Sequence, residues 1–139
     1  MIEVGTRVTT NHKVDITELD PTLVMQPGVV YQAVFQGTFP ATPGWEDTLY
    51  RSLHDELAAH GCKLTYFGVC HANQLIIIQW KLADPADAEY QSTSLIGGVA
   101  VSTIVLAVVA VIGLGIGGFS LSKITALFQE SPELMGVLA

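Results

Sequence analysis

From Leu95 to Phe119 the chain runs for 25 residues without a charged side chain, as LIGGVAVSTIVLAVVAVIGLGIGGF. As one helix this stretch would be about 37 Å long, more than the ~30 Å hydrocarbon core of a bilayer. A buried strand is much shorter, and a chain of 139 residues has little else with which to cover such a run. The expectation is a single C-terminal transmembrane helix over residues 95–121, with the lipid bilayer as its solvent.

Charges occur from Glu3 to Glu89 and again from Lys123 to Glu133. Residues 1–83 therefore read as a small soluble α+β domain. Residues 84–94 read as an acidic linker and residues 122–139 as a short amphipathic tail. A domain this small buries only about 60–65% of its unfolded surface, so its stability margin is thin.

Within the domain, residues 2–9 alternate in hydropathy, and Val14 and Ile16 follow a turn at Asn11-His12. This predicts an N-terminal hairpin. Residues 29–39 alternate again, with Val29, Tyr31, Ala33 and Phe35 on one face. Trp45, Leu49, Leu53 and Leu57 then recur every fourth residue, predicting a helix with Thr42 as its N-cap, Pro43 at its first position and Gly61 as its stop. Residues 62–70 and 74–82 read as two further strands. Leu75-Ile76-Ile77-Ile78 is apolar on both faces, which suits a central strand. The whole is a small, mostly antiparallel sheet with one helix on one face. Half of a ferredoxin-like fold has the same order, but its second crossover helix is missing here, and the order assigns no family.

The apolar run has its own internal pattern. At about 100° per residue, Gly98, Ser102, Thr103, Ala107, Ala110, Gly113 and Gly117 fall within half the circumference. Val101, Ile104, Val105, Val108, Val111 and Ile112 crowd the other half, while Leu106, Val109 and Leu114 interrupt the small-residue side. Small residues let a neighbouring helix approach closely. Gly98, Ser102, Ala110, Gly113 and Gly117 are therefore the expected helix-packing face, against other membrane helices or in a homo-oligomer. In the tail, Leu121, Ile124, Leu127 and Phe128 form a stripe at helical spacing that would dock on a membrane surface or a partner. Ser131-Pro132-Glu133 signals a further short turn.

Gly113, Gly115 and Gly118 also spell G-x-G-x-x-G. A dinucleotide fold needs a strand of ordinary length before that motif, then a second parallel strand with an acid about 20 residues on. The apolar run begins too far upstream and the sequence stops at Ala139, so no nucleotide or other cofactor is expected. His60, Cys62, Cys70 and His71 are suitable zinc ligands by type. They sit at opposite ends of one predicted strand, about 26 Å apart, which excludes both a shared ion and a disulfide. His54 with Asp55 or Glu56 diverges on a helix surface, so no catalytic or metal-binding set is expected.

The net charge is −7, and the six basic residues Arg7, Lys13, Arg51, Lys63, Lys81 and Lys123 are scattered. Nucleic acid is not an expected partner, since phosphate-backbone binding needs clustered cations. The first residues lack a basic and apolar leader, so the N-terminal domain is expected in the cytoplasm. The functional expectation is a single-pass membrane-anchored structural or assembly subunit, not an enzyme, using its small domain for protein contacts. The alternatives are a minor membrane protein linking the shell of a virus or phage to its bilayer, and a membrane-tethered binding module or enzyme.

Overall fold

The computed structural model describes residues 2–18, 20–83, 99–115 and 117–128. It contains six strands and two helices: β1 (Ile2–Gly5), β2 (Lys13–Asp15), β3 (Val29–Gly37), α1 (Trp45–Ala59), β4 (Cys62–Cys70), β5 (Leu75–Leu82), α2 (Val101–Gly115) and β6 (Phe119–Phe128). The strands form one antiparallel sheet in the order β1-β4-β5-β3-β6-β2. Its four inner strands with the two helices make a β-α-β-β-α-β unit of the ferredoxin-like kind. The missing crossover helix is thus present: it is α2, inside the apolar run.

This overturns the expected transmembrane helix over residues 95–121. α2 has 15 residues, about 22 Å of helix against a ~30 Å hydrocarbon core. Among the described residues no helix is long and apolar enough to cross a membrane. Val101, Ile104, Val105, Val108 and Ile112, each 0 or 1% exposed, pack on the sheet and on α1. The described part of the run comprises a core helix, a turn and the start of a strand, and the protein's own interior covers one side of that helix. Loop residues fix where α2 begins: Met25 N–H donates to Val99 O at 2.8 Å, and Val101 N–H to Leu23 O at 2.9 Å.

The amphipathic tail is corrected too. Residues 119–128 form β6 between β3 and β2, so a stripe at helical spacing is distributed over a strand. Leu121, Ile124 and Phe128 face the helices and Leu127 faces the opposite side, the spacing being kept by a bulge between the partners of Val34 and Phe35. Strand geometry wins because Gly117 and Gly118, at φ +62° and +67°, reverse the chain after α2. Gly117 N–H closes the helix end on Ile112 O at 3.2 Å, satisfying one of the carbonyls that a helix end leaves without an intrahelical partner. Gly37 lies against this turn, where an added Cβ would fall 2.2 Å from Gly118 O. Gly37→Ala is expected to destabilise the fold by more than about 1 kcal/mol, read from urea unfolding, because the clash is with backbone. The acidic linker, Gly98 and the turn at Ser131-Pro132-Glu133 lie outside the described residues.

The expected N-terminal hairpin does not form either. β1 pairs with β4 on one edge and β2 with β6 on the other. Residues 6–12 cross the open sheet face between them. They are held by Gln79, which is fully buried: its Nε2 donates to Val8 O and to Gln32 Oε1, and its Oε1 accepts from Val8 N–H, all at 2.8 Å. Bonding to the sheet at both ends and in the middle replaces the bonds a local hairpin would make.

α1 follows the sequence more closely. Trp45, Leu49, Leu53 and Leu57 are its buried residues, and each full burial contributes about 1.5–3 kcal/mol. Its start differs from expectation, because Gly44 in the left-handed region precedes Trp45 and no side chain caps it. β5 lies between β4 and β3, and Ile76, Ile77 and Ile78 are all buried.

Candidate functional site

One surface stands apart from the core just described. The side of α2 turned away from the sheet carries Thr103, Leu106, Val109, Ala110, Gly113 and Leu114, all exposed. At about 100° per residue they span an arc of roughly 140°. Leu106 is 61% exposed and Leu114 90%. No side chain between Val101 and Gly115 is charged. Isolated surface leucines are ordinary, whereas a continuous uncharged strip of this kind is a candidate contact surface.

Beside the C-terminal end of this strip is a cavity of about 350 Å³ between α1, α2 and the loop before α1. Pro40, Pro43, Trp45, Leu49 and Val111 form its apolar walls, and Thr42, Thr48 and Ser52 are its hydroxyl-bearing residues. Gly115 lines the cavity without a side chain, and a Cβ added there would meet Leu49 Cδ1 in ordinary contact at 3.7 Å. On α2 the wall of the cavity is Val111 and Gly115, at the border of the exposed strip, and Leu114 precedes Gly115 in the chain.

The structure divides the expected helix-packing residues. Ala110 and Gly113 lie in the exposed strip, and Ser102 is half-buried at its margin. Gly117 is in the turn after α2, off the helix surface, and Gly98 is outside the described residues. The large-residue half of the helix faces inward. Of the expected docking stripe in the tail, Ile124 and Leu127 are 5% and 4% exposed, occupied in the two sheet faces. Among the described residues Leu106 and Leu114 are the most exposed large hydrophobics. In sequence they look like interruptions of a small-residue face, which is how their prominence was missed.

The chemistry-bearing groups are dispersed. His60 and Cys62 lie at one end of β4, and Cys70 and His71 at the other. His60 Nε2 is 3.2 Å from Glu56, and His71 Nε2 is 3.6 Å from Glu46. Among the described residues no three His, Cys, Asp or Glu side chains gather closely enough to hold a metal ion. Both cysteines are free. Burial pushes the Cys62 thiol up to about 12, so it stays protonated, with Met25 Sδ 3.7 Å away. Burial also raises the Tyr66 hydroxyl to about 12, with further contributions from the hydrogen bond it donates to Glu3 and from that carboxylate's charge. G-x-G-x-x-G runs from the end of a helix into a strand, the reverse of the strand-to-helix order that dinucleotide binding requires. No protein-family model, curated protein or solved structure matches the chain.

Proposed function

We propose that the protein is a structural or assembly protein that associates through the outer face of α2, with a second copy of itself as the partner. The observation that carries this reading is the uncharged strip running from Leu106 to Leu114, with an apolar hollow at its end. Two molecules of net charge −7 repel one another, and the repulsion is smallest where neither presents a charge. The acidic groups of the helical layer, Glu46, Asp47, Asp55 and Glu56, sit on α1 instead. A two-fold contact is self-complementary by construction. In such a contact Leu106 and Leu114 of each copy pack on the same strip of the other, and the hollow between α1 and α2 lies at its border. Ala110 and Gly113 let the two helix backbones approach closely, and buried large side chains at the centre of such contacts carry most of the affinity.

Sedimentation over a concentration series tests this. Leu106→Glu and Leu114→Glu are each expected to weaken self-association by about tenfold or more, since each buries an unpaired charge. Thr48→Glu at the mouth of the hollow should have a similar effect. A wild-type protein that remains monomeric at about 100 μM, or that instead floats with lipid vesicles through the same leucines, overturns homotypic assembly and assigns the face to another occupant.

A further inference from the structure

The open sheet face has a charge opposite to that of the whole protein. Five of the six basic residues belong to it: Lys13, Lys63, Lys81 and Lys123 by strand alternation, and Arg7 in the segment that crosses it. Only Arg51 lies elsewhere, on α1, 3.1 Å from Asp47. Between the crossing segment and the sheet is a cavity of about 120 Å³. Arg7, Lys13 and Lys123 line it together with Thr10, Gln32 and Thr125.

Donors predominate there. Among the described residues neither Arg7 nor Lys13 has an ion-pair partner. Lys123 is held by Asp15 at 3.4 Å, and Asp15 also accepts the Thr125 hydroxyl at 3.2 Å. Gln32 accepts from Gln79 through Oε1, which leaves its own Nε2–H₂ group without a partner among the described residues. Among the described residues two carboxylates lie near these cations, Asp15 beside Lys123 and Glu3, which accepts the hydroxyl of Tyr66 in the neighbourhood of Arg7, and neither lines the cavity.

We infer that this cavity binds a phosphate-sized oxyanion, either free phosphate or the phosphoryl end of a phosphomonoester. A guanidinium fork and two ammonium groups match such a ligand through charge-assisted hydrogen bonds. The amide of Gln32 supplies a neutral donor. Sites for whole small molecules measure about 300–1,000 Å³, so this one has room for a single anionic group. Arg7, Lys13 and Lys123 are exposed at the rim of the cavity, so the attraction weakens as salt is added. The site is separate from the α2 face, and neither proposal depends on the other.

Calorimetric and thermal-shift titrations with inorganic phosphate, against sodium chloride at equal ionic strength, test the inference. At about 10 mM, phosphate is expected to raise the Tm by at least about 2 °C beyond chloride. Arg7→Gln and Lys13→Gln should each raise Kd about tenfold. Lys81→Gln, an equal change of charge on the same face but away from the cavity, should leave it unchanged. Asp15→Asn, which releases Lys123 from its carboxylate, should lower Kd several-fold. Glycerol phosphate in parallel distinguishes the sources: tighter binding than inorganic phosphate identifies a monoester, equal binding the free ion. The inference is overturned if phosphate does no more than chloride, or if Lys81→Gln weakens binding as much as Arg7→Gln does. In the latter case only the diffuse charge of the face is responsible.

Discussion

Gln79→Glu is expected to cost about 3–5 kcal/mol of stability at neutral pH, because it puts a carboxylate where water cannot reach and two carbonyl oxygens already point. Gln79 is fully buried, and its amide hydrogens serve Val8 O and Gln32 Oε1. A carboxylate has no hydrogen to give either. Burial raises the folded pKa of the new carboxyl above its unfolded value of about 4.3. The protonated form is then the one the fold tolerates. Below about pH 4.3 most of the deficit is absent, and it grows by about 1.4 kcal/mol per unit as pH rises until the folded pKa is passed. Urea unfolding between about pH 4 and 8 reads this slope. A pH-independent difference from wild type would mean that residues 6–12 do not close over Gln79.

The second large effect separates an interior helix from one solvated by lipid. Ile104 is completely buried, whereas Leu106, two residues on, is 61% exposed. Ile104→Ala is expected to lose about 2–5 kcal/mol, the sum of the transfer term and the cavity left between α2, α1 and the sheet. Leu106→Ala should stay within about 0.5 kcal/mol of wild type, as surface substitutions do. In a lipid-solvated span both side chains would meet hydrocarbon, and the two losses would be equally small. The comparison needs no assumption about what binds the exposed face.

Where a residue's role is decided by its near neighbours, it was legible in the sequence. The four-residue recurrence of Trp45, Leu49, Leu53 and Leu57 found α1, and the alternation around Tyr31, Ala33 and Phe35 found β3. The apolar block at Leu75 to Ile78 marked β5 as an inner strand. The apolar run misled because hydropathy records preference for a non-aqueous environment and not which environment provides it. Two local signals at the end of the run and just beyond it pointed the other way. Gly117-Gly118 is a turn-forming pair, and Phe119 and Leu121 alternate with Ser120 and Ser122, the period of a strand. The division of α2 into a large-residue and a small-residue side was visible, and the large side is the one that packs inward. What no local pattern carried was the destination of the first fifteen residues. Alternation in residues 2–9 announces a strand but cannot name a partner sixty residues away, so the nearest return segment was chosen. The basic cavity was illegible for the same reason, since Arg7 and Lys123 meet only once the sheet is assembled.

The placement of β1 and β2 on opposite edges has a consequence for how the molecule is made. Asp15 and Thr125 are 110 positions apart in the chain yet share a hydrogen bond. During synthesis the segment carrying Val14 emerges early and has nothing to join until residues 119–128 arrive. Meanwhile the flank of β3 that β6 will occupy is bare, a row of unmet amides and carbonyls open to any other chain. Such long-range closure is slow and exposes the nascent protein to mispairing. Among the described strands, the latest to be translated is the one that lets β2 settle.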